Sequence, residues 1–349
     1  MAKTTIRDVA ERAGVSLSTV SRALNGNTSV DPAMAKRVQD AAKELGYIGS
    51  AHASAGTKRI AVVVPALVDT YFTIILAGII DTAAENGQEV VVMHSRSDPD
   101  YERQCFERLV RSGVDGIIFS GLSDWNPLED FPTLRGVPIV VAARRKIIPG
   151  VPHIYDDNVA AGYLATKYML RLRRRNIALM VNFWMNNIVD YDAFIEAYHS
   201  PAQGTCTAFD RYTGYVQALE EEGLSVDPSL IVFSGFSPAS GYESAQQLLA
   251  NPREFDGVLV PNDRSATGVL RMLREQGLSV PQQVSMICFN GGLIANVVTP
   301  ALTMIEQNNY ELGVQAATQM NEMLCGREGH DVKLDVRLSI KGSTALAED

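Results

Sequence analysis

The sequence predicts a mixed α/β protein with a three-helix, helix-turn-helix headpiece at the amino terminus and a two-lobed body of two Rossmann-like parallel-sheet subdomains. Residues 4–25 show helical spacing of apolar residues interrupted by a glycine turn. From residue 59 onward, short β-branched runs alternate with longer amphipathic segments, as in βαβ units. A chain of 349 residues also exceeds the length at which one hydrophobic core keeps growing, so we expect several domains.

Three short helices are predicted between residues 4 and 45. Gly14 supplies the turn between the first two, Ser16 is placed to cap the second, and Asp31-Pro32 starts the third. In the second helix, short or basic side chains lie opposite the apolar set and are slender enough to enter a major groove of DNA. The apolar sets are Ile6, Val9, Ala10 and Ala13, then Leu17, Val20, Ala23 and Leu24, then Val38, Ala41, Ala42 and Leu45.

The charge is segregated along the chain. Residues 1–60 carry nine Lys and Arg against five Asp and Glu, a net charge of +4, whereas the whole chain carries −9. A basic end on an acidic body suits contact with phosphates by that end alone, although an excess this small could also arise by chance.

The composition points away from several classes of protein. No apolar run approaches membrane-spanning length and the amino terminus has no hydrophobic signal core, so we expect a cytoplasmic protein and not a periplasmic solute-binding protein. The phosphate-binding, nucleophile-elbow and zinc-protease motifs are missing, so an enzyme is not expected. The four cysteines and five histidines form no metal-ligand spacing, which favours buried free thiols and no cofactor or metal.

The headpiece resembles that of the LacI/GalR family of bacterial transcription regulators, through Asp8-Val9-Ala10, Ala13-Gly14-Val15-Ser16, Thr19-Val20-Ser21-Arg22 and Leu24-Asn25. The alternative, a helical hairpin in a small bundle, leaves the matches along the rest of the chain unexplained. These follow in the family's order: Val64-Pro65, Gly113-Val114-Asp115-Gly116, Asp157-Asn158, Arg211 with Gly214-Tyr215, Asn262-Asp263 and Pro300-Ala301-Leu302-Thr303.

The resemblance implies a sequence-specific transcription regulator, with repression favoured, that binds operator DNA as a homodimer and leaves a tetramer open. It also implies a periplasmic-binding-protein-like body that binds a small effector, sugar-like or nucleobase-like, between its lobes. Leu17, Ser18 and Arg22 occupy the family's base-reading positions, where Arg22 suits guanine and Leu17 a thymine methyl group. Phosphate contacts are expected from Thr5, Ser16, Thr19 and Ser21, and Asn25 belongs to the same DNA-binding set.

The predicted domains are the headpiece, 1–48, a shortened hinge rich in Gly, Ser and Ala, 49–58, and the effector-binding and dimerisation body, 59–349. Within the body, lobe 1 is assigned residues 59–157 and 291–323, and lobe 2 is assigned residues 158–290 and 324–349.

Ligands of such folds bind beyond the carboxyl ends of the parallel strands. Arg211 and Asp263 match the family's effector-contacting Arg and Asp, although Asp263 could instead cap the following helix. Trp125 and Trp184 are candidate ligand walls, with packing between the lobes as the alternative. The full predicted effector set is Asp69, Phe72, Trp125, Trp184, Arg211, Asp263 and Asn290.

Two segments depart from the family pattern. Between Tyr47 and Ile60 the hinge is shorter than the family spacing, with Gly49 at a proline position and no leucine to open a minor groove. We therefore expect a flexible linker, either a lower affinity for DNA or a straighter DNA, and weaker coupling between effector and DNA. The segment between Val181 and Arg211 is longer than usual, and is either a lid over the cleft or a variable surface loop.

Overall fold

The computed structural model of the chain describes residues 6–24, 30–44, 57–120, 134, 136–143, 148, 150–182, 188, 190–200, 206–251 and 254–347. The chain divides into two compact units, an amino-terminal unit that contains the headpiece and a larger unit that contains the body. Most of the predicted hinge, up to residue 56, lies outside the described residues, so its flexibility stays a prediction.

The headpiece has the three expected helices, and the second and third begin at the predicted caps. The Thr19 N–H donates to Ser16 Oγ at 3.2 Å. The N–H groups of Ala33 and Met34 donate to the Asp31 carboxylate at 3.0 and 3.1 Å. These bonds satisfy donors that the first turn of a helix leaves without a partner. The helices are α1 (Ile6–Ala13), α2 (Leu17–Leu24) and α3 (Pro32–Glu44).

Small apolar side chains from all three helices form the headpiece core. Arg37 donates to the Ala13 carbonyl at 2.7 Å, which ties α3 to the end of α1. The assignment of Leu17 to the apolar set of the second helix is wrong, because this side chain is 44% exposed and lies outside the core. The side chains of Ile6 and Leu24, and all of Leu45, lie outside the described residues. The buried core residues are Val9, Ala10, Ala13, Val20, Ala23, Val38, Ala41 and Ala42.

The body contains two six-stranded sheets, which confirms the predicted pair of parallel-sheet subdomains. The first sheet holds β1 (Arg59–Val64), β2 (Glu89–His94), β3 (Gly116–Phe119), β4 (Ile139–Ala142), β5 (His153–Asp156) and β11 (Val332–Leu334). The second holds β6 (Ile177–Asn182), β7 (Ile231–Ser234), β8 (Gly257–Val260), β9 (Ser285–Phe289), β10 (Thr303–Glu306) and β12 (Arg337–Ser339). The orders are β11-β5-β4-β3-β1-β2 and β12-β10-β9-β8-β6-β7.

Neighbouring strands run parallel wherever their register is described, except that β12 runs antiparallel to β10. Helices connect the strands and cover the sheets. They are α4 (Thr70–Glu85), α5 (Pro99–Ser112), α6 (Asn158–Arg171), α7 (Tyr191–His199), α8 (Thr207–Glu220), α9 (Pro238–Leu249), α10 (Asp263–Glu275), α11 (Leu293–Val297) and α12 (Asn309–Leu324).

The two lobes exchange chain segments differently from the predicted boundaries. Strand β10 was assigned to lobe 1, but it pairs with β9 in the second sheet, and its Ile305 is fully buried in that lobe's core. Strand β11 was assigned to lobe 2, but it pairs with β5 in the first sheet. Each is a strand of three or four residues, too short for its own pattern to select a sheet. The chain therefore crosses between lobes after β5, after β10 and after β11.

Three pairs of helices in the body touch through glycines. Each helix of a pair contributes one glycine, and a Cβ built on any of them would overlap a backbone carbonyl oxygen of the partner helix. These glycines let the helix backbones approach more closely than any larger residue permits. The pairs are α4 with α12 at Gly78 and Gly313, α6 with α8 at Gly162 and Gly214, and α9 with α10 at Gly241 and Gly268.

The long segment before Arg211 contains α7, which packs into the core of lobe 2. Phe194 is fully buried and its ring meets that of Tyr212 edge-on at 5.0 Å between centroids. The hydroxyls of Tyr191 and Tyr212 are hydrogen bonded at 2.8 Å. The described part of the insertion is thus a packed helix, and neither the lid nor the surface-loop hypothesis describes it.

All four cysteines are free, but the prediction of buried thiols holds for only two of them. Cys105 and Cys288 are buried, Cys206 is half-buried and Cys325 is exposed. Among the helices of the described ranges, none is long and apolar enough to cross a membrane.

The close contact between α6 and α8 gives a direct test of the packing. We expect Gly214→Ala to lower the free energy of unfolding by about 1–3 kcal/mol, because the added methyl group overlaps the Val159 carbonyl oxygen of α6. Urea denaturation measures the change. The control is Gln217→Ala on the exposed side of α8, which should change stability by no more than about 0.5 kcal/mol. Equal stability of the two variants would contradict the close packing.

Candidate functional site

The exposed face of α2 carries the predicted base-reading side chains. Leu17, Ser18 and Arg22 are exposed, whereas Val20 and Ala23, on the opposite side of the helix, are buried in the headpiece core. The Ser16 hydroxyl lies 2.8 Å from the hydroxyls of Ser18 and Thr19, so the three groups are held together at the start of α2. Of the other predicted DNA contacts, Thr5, Asn25 and the side chain of Ser21 lie outside the described residues.

In the body, Arg211 is a buried cation at the start of a helix. It lies in the first turns of α8, is only 7% exposed, and its guanidinium stands 4.2 Å above the centre of the Phe289 ring. Nη1 donates to the Pro261 carbonyl at 3.2 Å, while Nη2 has no hydrogen-bond partner among the described residues. Burial lowers the pKa of Arg211 to about 10, so the guanidinium stays charged at neutral pH.

Asn158 connects Arg211 to two of the segments in which the chain crosses between the lobes. Its Oδ1 accepts from Arg211 Nε at 3.1 Å and from Gln307 Nε2 at 3.3 Å. Its Nδ2 donates to the Asp156 carbonyl at 3.2 Å. Asn158 follows the first crossing, after β5, and Gln307 lies in the second, after β10. A rotation of the lobes about these crossings therefore acts on the hydrogen bonds that hold Arg211.

Asp156 and Tyr71 complete this cluster. Asp156 ends β5 and is 2% exposed, and burial raises its pKa to about 7 against the opposing charge of Arg211. Its Oδ1 has no hydrogen-bond partner within the described ranges. Tyr71 lies at the start of α4, and burial raises the pKa of its phenol well above the ordinary value, with Asp156 adding to the rise and Arg211 opposing it. The two lobes thus contribute a carboxyl, a phenol and a guanidinium to one cluster.

Asp263 does not cap the helix that follows it. The cap is Asn262, which accepts from the Ser265 N–H at 2.8 Å. Asp263 Oδ2 instead accepts from the Gly292 N–H at 2.9 Å and so holds the loop after β9. Burial raises the pKa of Asp263, and the negative charge of Asp69 in lobe 1 adds to this rise. Asp69 in turn caps α4 by accepting from the Tyr71 N–H at 3.0 Å.

The remaining predicted effector residues lie in different environments or outside the described residues. Asn290 follows β9 with a left-handed backbone, φ 50°, and its buried Oδ1 has no hydrogen-bond partner that the structure describes. Phe72 is 8% exposed and packs edge-on against Tyr71, with 5.0 Å between ring centroids, and Tyr71 in turn interacts electrostatically with Arg211. Trp125 and Trp184 lie outside the described residues and stay predictions.

Buried polar atoms without partners are concentrated where the strands end. The predicted effector set includes Arg211 and Asn290 but not the others, since polar residues after apolar runs are common and their burial depends on distant packing. The edge of the sheets where parallel strands end is where such folds bind ligands. The residues concerned at this edge are Ser95 after β2, Ser120 after β3, Asp156 in β5, Asn182 in β6, Asn290 after β9, Gln307 after β10, and Arg211.

A helix-turn-helix headpiece and a two-lobed body with a polar cleft together define a ligand-responsive, DNA-binding transcription regulator. Residues 5–50 match the family model of bacterial regulatory proteins, lacI family, and residues 57–341 match that of periplasmic binding proteins and the sugar binding domain of the LacI family. The chain belongs to the LacI family.

Known relatives match the chain over nearly its whole length. The HTH-type transcriptional repressor CytR of Escherichia coli is 30% identical over 97% of this chain and 96% of its own. The regulator RegA of Clostridium saccharobutylicum is 28% identical over 93% and 94%. Two solved structures are each 25% identical: a CelR–cellobiose complex, with TM-score 0.71 over 97% and 99%, and an Enterococcus faecium LacI-family regulator with bound ribose, with TM-score 0.68 over 83% and 100%.

The role of Asn158 can be tested by removing its acceptor. We expect Asn158→Ala to lower the free energy of unfolding by about 1–3 kcal/mol, because the buried Arg211 Nε and Gln307 Nε2 lose their shared partner. Chemical denaturation monitored by circular dichroism measures the loss. The exposed Asn296, changed to Ala, serves as the control. A loss no larger than that of the control would show that water replaces the missing acceptor.

Proposed function

We propose that this regulator acts as a repressor whose operator is read by Leu17, Ser18 and Arg22 of α2. The observation that supports this is the exposure of these three side chains on one face of a helix whose other face is buried. Arg can bind guanine O6 and N7 together, and a leucine can pack on a thymine methyl group. The hydroxyls of Ser16 and Thr19 at the start of α2 are placed for phosphates, as is common for side chains at a helix amino terminus.

The test is selection of duplex DNA from a random pool by the full-length protein at near-physiological salt. We expect enrichment of a sequence with two related half-sites in inverted order, since a two-fold dimer presents two copies of α2. Enrichment of no sequence by a folded protein, in the absence and in the presence of candidate effectors, would reject the proposal.

We propose that the effector is a small molecule of the sugar or nucleobase class, bound between the lobes. The cluster around Arg211 supports this, because hydroxyls and ring nitrogens provide the hydrogen-bond partners that the buried polar atoms at the strand ends lack. Two solved relatives bind cellobiose and ribose. The protein would act by binding and not by turnover, so a bound sugar or nucleoside should be recovered unchanged.

We propose that the body forms a homodimer through an apolar face on α4, α11 and the loop before α4. The face combines exposed large apolar side chains from both lobes, and Thr70 of α4 lies close to Gly292 at the start of α11, so its two parts adjoin. Monomeric proteins seldom leave so many large apolar groups in one exposed region. The residues of the face, with their exposures, are Leu67 40%, Val68 78%, Ile74 38%, Ile80 41%, Leu293 71% and Val297 68%.

Arg22 gives a test of base recognition. We expect Arg22→Ala to cost about 1–3 kcal/mol on the selected operator and far less on unrelated DNA. The charge-matched control is Lys36→Ala on α3, also exposed, whose effect should be similar on both DNAs. Fluorescence anisotropy at two salt concentrations measures both. An equal loss on operator and unrelated DNA for Arg22→Ala would assign Arg22 to a phosphate.

Leu293 gives a test of the dimer. A carboxylate buried in an apolar interface without a partner is costly, so Leu293→Asp should weaken the dimer by at least about 2 kcal/mol, or roughly thirtyfold in dissociation constant. Sedimentation equilibrium measures the change. Leu346→Asp provides the control, because Leu346 is 54% exposed but lies apart from the apolar face in the sequence. A dimer unaffected by Leu293→Asp would exclude α11 from the interface.

A further inference from the structure

Asp156 is a buried acid whose desolvation the charge of Arg211 offsets only in part. It is 2% exposed, and its Oδ1 has no hydrogen-bond partner in the part of the chain that the structure describes. Removing a carboxylate from water without a partner is costly, so such a group is rarely retained for stability alone. The neighbouring Asp157, by contrast, is paired with Lys333 at 2.6 Å. Lys333 is therefore paired with Asp157 rather than with Asp156, although both carboxylates lie where the chain leaves β5.

The groups that face Asp156 come from both lobes. Arg211 of α8 and Tyr71 of α4 are the charged and titratable groups that interact with it electrostatically. Two nitrogens of Arg211 are occupied, by Asn158 and by the Pro261 carbonyl, and Nη2 is left open. The cluster thus contains one buried donor and one buried acceptor without partners among the described residues, and the guanidinium charge is balanced by Asp156 when this acid is ionised.

We infer that Asp156 Oδ1 and Arg211 Nη2 form a subsite for an uncharged edge of the effector that carries a hydrogen-bond donor next to an acceptor. Vicinal hydroxyls of a sugar and the amide edge of a nucleobase have this chemistry. This subsite rests on the proposed effector site and narrows the range of possible effectors. It excludes sugar phosphates, sugar acids and nucleotides that would place an anionic group between Asp156 and Arg211. An anion would gain from Arg211 but would face the carboxylate of Asp156.

The proposed subsite predicts whether the affinity for the effector rises or falls with pH. Burial raises the pKa of Asp156 to about 7 in the unliganded protein. A neutral ligand that donates a hydrogen bond favours the carboxylate, so its affinity rises by up to about tenfold per pH unit below pH 7 and levels off above it. An anionic group bound at the same place favours the protonated acid instead, so its affinity falls as the pH rises above 7.

The experiment compares neutral probes with their anionic counterparts by titration calorimetry between about pH 5.5 and 8.5. The neutral probes are ribose, cellobiose and adenosine, and the anionic probes are ribose 5-phosphate, gluconate and adenosine monophosphate. We expect binding by a neutral probe with the rising pH profile. Asp156→Asn should lower this affinity about tenfold and remove the pH dependence, because the amide keeps an acceptor but not the charge. Asp335→Asn, at an exposed carboxylate, should behave as the unmodified protein.

Tighter binding of an anionic probe than of its neutral parent would overturn the inference, as would a neutral probe whose affinity does not change with pH. A second measurement needs no probe. In the ligand-free protein, Asp156→Asn should raise the melting temperature at about pH 8, where Asp156 is ionised, and not at about pH 4, where it is protonated in the native state. An unchanged melting temperature at the higher pH would show that Asp156 is already compensated.

The experiments distinguish a failure of the proposed operator recognition from a failure of the proposed subsite. Operator selection depends on the headpiece and tests the regulator itself. A protein that enriches an inverted-repeat operator but gives no Asp156-dependent binding of neutral probes would reject only the subsite. A protein that binds neutral probes with the expected pH profile but enriches no DNA would reject the proposed mode of operator recognition and leave the subsite in place.

Discussion

The close packing of α6 on α8 is the constraint on which the cleft depends. Gly162 and Gly214 bring the two helix backbones into contact, and a Cβ on either would overlap a carbonyl oxygen of the other helix. Because α6 begins at Asn158 and α8 carries Arg211 in its first turns, the same contact places the amide oxygen 3.1 Å from the guanidinium. A small separation of these helices would leave a buried cation without its partner.

Burying Arg211 is costly, and the chain offsets the cost only in part. The Asn158 and Pro261 oxygens and the face of the Phe289 ring stabilise the charge, while Arg211 Nη2 and Asp156 Oδ1 have no hydrogen-bond partner among the described residues. A ligand that bound these atoms more strongly in one arrangement of the lobes than in another would shift the protein toward that arrangement. Gln307, which shares the Asn158 oxygen, brings the second crossing into the same network.

The sequence alone predicts those elements that are determined by residues close together in the chain. Ser16 and Asp31 cap their helices as predicted, and the alternation of short β-branched runs with amphipathic segments corresponds to the strands and helices of the body. The sequence does not predict features that depend on packing between residues far apart in the chain. Strands as short as β10 and β11 carry no signal for the sheet they join, and the burial of Asp156 depends on elements far away in the sequence. The resemblance identified Arg211, but it did not indicate that Tyr71 interacts with it electrostatically.

The threefold crossing of the chain between the lobes also determines the order in which the protein can be completed on the ribosome. The last helix of the headpiece, α3, ends at Glu44, so the headpiece can fold while the body is still being made. Lobe 1 needs α12 and β11, and lobe 2 needs β12, so neither is whole until residues 309–339 have been synthesised. A nascent chain therefore carries a complete DNA-binding head long before either half of its effector-sensing body exists.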